Sequence, residues 1–148
     1  MTKSEKLNFL ILFLLGGLSS FSLPPYNFFF INFISFTFLF LFLVEAKNSN
    51  KSKLIFFLYG WFFGFGYFIC SLYWISISLT FDNNFKFLIP ISIIFIPAFI
   101  STFFGISTLM TKFFLIQKKI ITSVLLFSLV FSIIEYIRGI VLSGFPWN

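Results

Sequence analysis

Apolar residues run in five long blocks along this chain, and nearly all the polar residues fall in the gaps between them. The blocks are residues 7–23, 28–44, 54–79, 87–110 and 120–141. Each is at least about 17 residues long, enough for a helix to cross a hydrocarbon core. The gaps carry the punctuation that ends helices. Pro24-Pro25-Tyr26-Asn27 permits a tight reversal after the first block, and Asp82-Asn83-Asn84 marks a short loop at 80–86. Pro90 stands near the start of the fourth block and Pro97 inside it, where a kink is expected and a bundle can tolerate it. The pattern predicts an all-α membrane protein of five transmembrane helices, forming one membrane domain over residues 1–148. The first block also fits a signal peptide, with Ser20 and Ser22 near a cleavage point. The spans that follow favour an uncleaved helix that sets their orientation.

The charges between the blocks supply that orientation. With the N-terminus in the cytoplasm, the inner segments hold Lys3, Lys6, Lys47, Lys51, Lys53, Lys112, Lys118 and Lys119, and the outer ones only Lys86 and Arg138. The positive-inside rule then predicts N-terminus in and C-terminus out. The formal net charge of +6 is accounted for by these topology signals, so nucleic-acid binding is not expected.

Composition narrows the chemistry. The chain is 59% hydrophobic and 9% charged, too little charge for a soluble domain or a disordered one. Phe occurs 29 times, and Phe, Ile, Lys and Asn share AT-rich codons, so the aromatics read as lipid-facing and core filler. There is no His, the four carboxylates are scattered, and Cys70 is the single cysteine. A zinc site, a Cys–His pair, a Ser–His–Asp triad and an intramolecular disulfide are therefore excluded within this chain, and no metal or cofactor is expected. Cys70 lies within an apolar run and reads as a small buried hydrophobe.

Two spans carry more than apolar filler. In the third, Gly60, Gly64, Tyr67, Ser71, Trp74 and Ser78 share one helical face. Gly60 and Gly64 make a G-x-x-x-G that admits another helix closely, so this face is a packing seam. The alternative is that Tyr67 and Trp74 line a cavity for a lipid or peptide, although Tyr73 and Trp74 also suit an interfacial belt. Phe65, Phe68, Ile69 and Leu72 occupy the other faces, suited to lipid. In the fifth span Ser128, Ser132, Glu135 and Gly139 fall on one stripe. Glu135 lies roughly 9 Å below the span's outer end, by the helical rise. A carboxylate at that depth is expected to face the bundle, with Arg138 at i+3 as its partner. It reads either as part of a polar pocket or as an ion pair snorkelling to the interface.

Three segments resemble the apolipoprotein N-acyltransferases of the bacterial inner membrane. They are Phe21-Ser22-Leu23-Pro24-Pro25; Gly64-Phe65-Gly66 with Ser71-Leu72-Tyr73-Trp74-Ile75; and Glu135-Tyr136-Ile137-Arg138-Gly139 followed by Ser143-Gly144-Phe145-Pro146-Trp147-Asn148. The third is the most specific. The resemblance implies the first five helices of an eight-helix bundle, multi-pass in the inner membrane, with a nitrilase-like domain beyond Asn148. It also implies acyl transfer from a phospholipid to the amine of a lipoprotein's diacylglyceryl cysteine, through a cysteine thioester. The family's catalytic Glu, Lys and Cys match no residue here, and Cys70 is rejected as the nucleophile. Glu135, Arg138, Phe145, Pro146 and Trp147 match the membrane segment that borders substrate entry. The expectations are a chain inactive alone, cut short of its catalytic domain or complemented by it in trans. The competing reading is a small non-enzymatic membrane protein or transporter fragment. No convincing internal repeat supports it, and no acidic group lies near mid-membrane.

Overall fold

The computed structural model of the chain describes residues 3–78, 80–81, 83–115 and 119–142. These form six α-helices: α1 (Lys3–Ser19), α2 (Phe30–Asn48), α3 (Lys53–Ser71), α4 (Tyr73–Ser78), α5 (Ile89–Phe114) and α6 (Ile120–Val141). Short 3-10 turns occupy Ser20–Ser22 and Asn83–Leu88. Five helices among the described residues are long and apolar enough to cross a membrane, all but the six-residue α4.

The helix ends follow from local chemistry. After α1, the Ser20 hydroxyl donates to the Gly17 carbonyl and the Ser22 hydroxyl to that of Ser19, each at 2.7 Å. These bonds satisfy carbonyls that the helix end leaves open. Asn27 takes a positive φ of 56°, and the Phe28 amide returns to the Phe21 carbonyl at 3.0 Å, closing the reversal. The end of α2 is a Schellman turn built on Asn50 at φ 49°. The Lys51 amide donates to the Ala46 carbonyl at 2.9 Å and the Asn50 amide to that of Lys47 at 3.1 Å. Asparagine tolerates the left-handed position that most L-residues avoid. The helix α5 runs unbroken through Pro97, which is buried within it.

The third apolar block departs from one continuous span. Its helix stops at Ser71; Leu72, at φ −104° and ψ 5°, separates it from α4. The break coincides with Leu72 turning into the core, where it is 4% exposed. Trp74 and Ser78 therefore belong to a different helix from Gly60, Gly64 and Tyr67. The lipid-facing assignment of Phe68 and Leu72 is also corrected: Phe68 is 0% exposed. The reason is that α3 is the central helix of the bundle, packed on α5 along one side and α1 along another, with α6 resting on α5.

Glycines make these crossings close. A Cβ on Gly16 would strike the Phe63 carbonyl of α3, and one on Gly66 the Phe13 carbonyl of α1. A Cβ on Gly60 would meet the Thr108 hydroxyl and the Phe104 carbonyl of α5; one on Gly64 would lie 2.9 Å from the Phe104 Cβ. Where α3 and α5 meet, the Thr108 hydroxyl donates to the Phe56 carbonyl at 2.7 Å. Small residues and interhelical hydrogen bonds are what hold helices together once apolar burial offers no preference between protein and lipid. Around them Phe104 gathers Phe36, Phe63, Tyr67, Phe68 and Phe131 at ring separations of 5.3–6.4 Å.

The lysines meet at one end of the bundle. Lys47 donates to the Lys112 carbonyl at 2.9 Å, and Lys112 donates to the Lys51 carbonyl at 2.8 Å. Lys112 also stands 4.9 Å from the Phe56 ring centroid, and Lys53 5.5 Å from that of Phe113. Lys51 pairs with Glu5 at 2.8 Å, tying the α2–α3 loop to the start of α1. The hydrogen bond that Lys51 donates to Glu5, together with the carboxylate's negative charge, holds the Lys51 ammonium above the ordinary lysine value.

Candidate functional site

Charged groups inside apolar helices are costly and mark where a membrane bundle does something besides pack. On α6 the pair is Glu135 and Arg138, one turn apart. Arg138 donates from Nε at 3.0 Å and from Nη2 at 2.7 Å, both to Glu135 Oε2. The guanidinium is buried, the residue being 8% exposed, and lies 5.4 Å from the Phe68 ring centroid. A flat, weakly hydrated cation against an aromatic face is well suited to such a site. Phe68 thus offers its ring face to the Arg138 cation as well as filling the core.

Glu135 opens onto a cavity of about 300 Å³ together with Asn32, Tyr67, Phe104 and Ser132. The helices α2, α3, α5 and α6 each contribute to it. Asn32 is held in place from the reversal: its Nδ2 donates to the Ser22 hydroxyl oxygen at 2.9 Å. Adjoining this cavity, and sharing Asn32, Phe36 and Phe131 with it, is an apolar groove of about 490 Å³ between α2 and α6. Phe33, Thr37, Val124, Phe127 and Ser128 line the groove. Phe40 and Phe127 touch across it with ring centroids 5.5 Å apart. Both volumes fall within or near the range of small-molecule sites, and the chemistry graduates from polar to greasy along α2.

Tyr67, Glu135 and Ser132 therefore come together, and Arg138 backs them. Trp74 does not join them: it is 46% exposed on α4 and absent from the cavity lining. Among the described residues Gly139 has nothing within 4 Å of where a Cβ would be, so among them it is no packing contact. Phe145, Pro146 and Trp147 lie outside the described residues. Cys70 is exposed on α3, correcting its reading as a buried group. Among the described residues no three His, Cys, Asp or Glu side chains converge. Sequence reasoning missed Asn32, although an amide within an apolar block was the available signal, and it missed Phe104, which nothing distinguishes from the other phenylalanines.

An ion pair, an amide, a phenol and a hydroxyl at the head of a greasy groove can hold an amphiphile.

Comparison with known proteins agrees across almost the whole length. The family profile described as the apolipoprotein N-acyltransferase N-terminal domain matches residues 15–148. The apolipoprotein N-acyltransferase of Rhizobium rhizogenes is 32% identical over 145 residues, covering 94% of this chain and 27% of the relative. That of Rhizobium etli is 33% identical over 139 residues, covering 90% and 26%. That of Brucella melitensis is 30% identical over 142 residues, covering 92% and 26%. The chain spans about a quarter of the length of these curated relatives. Five membrane-length helices, with this match over residues 15–148, place the chain in the apolipoprotein N-acyltransferase family, in its N-terminal domain.

Proposed function

We propose that this chain is the membrane part of an enzyme that acylates lipoproteins at their N-terminus, seated in the bacterial inner membrane with its N-terminus in the cytoplasm. The acyl donor is a phospholipid and the acceptor is the free amine of a diacylglyceryl-modified cysteine. A thiolate attacks the donor's ester carbonyl, expelling a lysophospholipid and leaving a thioester. The acceptor amine, losing a proton to a base, then displaces the thiol and forms the amide. The residues for those two steps are a Glu, a Lys and a Cys outside these 148 residues. The role of this chain is to hold lipid next to them. Glu135, Arg138 and Tyr67 form the polar head of its lipid-facing site, and Phe145, Pro146 and Trp147 border substrate entry.

The match of residues 15–148 to the family's N-terminal domain carries this reading. The test is an N-acylation assay with a diacylglyceryl-cysteine peptide and phospholipid vesicles. The purified 148-residue chain is expected to show no turnover. Turnover that survives Cys70→Ala would overturn the placement of the catalytic set.

A further inference from the structure

At the lysine-rich end of the bundle, Lys47 lies in the last turn of α2, Lys53 opens α3 and Lys112 lies in the last turn of α5. Among the described residues the ion pair at this end is that of Glu5 with Lys51, and no carboxylate pairs with Lys47, Lys53 or Lys112. Their ammonium groups are nonetheless held in place. Lys47 and Lys112 each donate to a main-chain carbonyl of a neighbouring segment. Lys112 also lies over the buried ring of Phe56, and Lys53 over that of Phe113. An ammonium has three hydrogens, so each keeps donors for an anion. Retention of a loop during insertion depends on how many lysines it carries, and does not require them to fold back over rings at the helix ends. Beside them in the chain stand Leu54, Phe113 and Phe114, all exposed, and Lys47 shares a small notch with Leu115 and Ile120 where α2 meets the start of α6. In helices that cross a bilayer such apolar surface faces acyl chains. The anion best placed to meet these lysines is therefore one anchored by acyl chains.

We propose that this rim is a binding site for an anionic phospholipid, whose headgroup phosphate is received by Lys47, Lys53 and Lys112. Basic pockets between membrane helices recognise headgroups by charge. A zwitterionic head brings its own ammonium toward the lysines, which sets it below a head of net negative charge. The rim is separate from the polar cavity: Glu135 lies about 22 Å along α6 from its start at Ile120, by the helical rise. The inference rests on the helices crossing a bilayer and on no part of acyl transfer, so it stands or falls apart from the proposed function.

The test uses the chain in phosphatidylcholine nanodiscs doped, at equal mole fraction, with phosphatidylglycerol, cardiolipin or phosphatidylethanolamine. Each probe lipid carries a photo-crosslinking diazirine close to its head. Both leaflets have one composition, so the outcome does not depend on which way the bundle faces. The expected result is labelling at 47–54 and 110–115, with about tenfold preference for the two anionic probes over the ethanolamine probe, the scale of surface attraction to two lysines. Lys53→Gln removes a charge but no main-chain hydrogen bond, so it should lower that preference several-fold with helicity retained, and Lys53→Arg should keep it. Equal labelling by anionic and ethanolamine probes would overturn the proposal, as would a preference unchanged in Lys53→Gln. So would loss of labelling on adding inorganic phosphate at constant ionic strength, which would mean that a dissolved anion fills the site.

Discussion

Arg138 is the residue on which the polar part of this bundle turns. Its guanidinium is enclosed, donates from Nε and Nη2 to a single carboxylate oxygen and leans on Phe68. Removing it leaves Glu135 without its counter-charge in a low-dielectric setting, whereas removing the charge of Glu135 leaves the amide-like group able to accept one of the same bonds. Arg138→Leu is therefore expected to lower stability by about 2–3 kcal/mol, less than the 3–5 of a fully enclosed pair because Glu135 is partly open. Glu135→Gln should cost distinctly less. Thermal unfolding in mild detergent, read by circular dichroism, checks both; equal losses would show that the ion pair is not the dominant contact. This pair was legible from the residues alone because charge inside an apolar block is rare and i+3 spacing leaves one obvious partner. Asn32 was not, since an uncharged amide at a helix start reads equally well as a loop residue, and only the fold brings it beside Glu135.

Helices in this bundle meet where side chains are smallest, and glycines differ sharply in what they permit. Gly60→Leu would drive a side chain into the backbone of α5 at Phe104 and into Thr108, and overpacking of this kind costs about 1–3 kcal/mol. Gly139→Ala meets nothing among the described residues and gains helix propensity, so its unfolding temperature should hold or rise slightly. The pair of melts tests the crossing directly, and a destabilised Gly139→Ala would mean that its surroundings are more crowded than described. The number of spans was readable because hydropathy and prolines mark helix limits in lipid as plainly as anywhere. The Gly60–Gly64 face of α3 was readable as a packing seam, but that the Phe68 side also turns inward was not, because Phe surrounds the helix on all sides and lipid is as apolar as the core. Phe68 and Phe65 look alike in sequence, yet Phe68 is buried and Phe65 only partly so. The stop at Leu72 has no Pro or Gly to announce it.

For the molecule as a whole, the gathering of Lys47, Lys51, Lys53 and Lys112 gives one end a strongly cationic rim. Cationic loops are retained in the cytoplasm during insertion, which is the basis for the proposed orientation. Alkaline phosphatase inserted within residues 49–52 should be inactive and the same enzyme inserted within 80–86 active, since it folds only outside the cytoplasm. The reverse pattern would invert the bundle.

The reciprocal crossing of Gly16 and Gly66 has a consequence for how the chain is made. The backbone of α1 is shaped to lie against α3, while α2, which leaves the ribosome between them, touches both only lightly. Residues 13–17 therefore have no proper neighbour until the third span has entered the bilayer. Biogenesis must keep the first helix waiting while the second is threaded past it. A lesion in α3 at Gly66 should then be felt first as an orphaned α1, open to quality-control proteolysis before any loss at the polar cavity is seen.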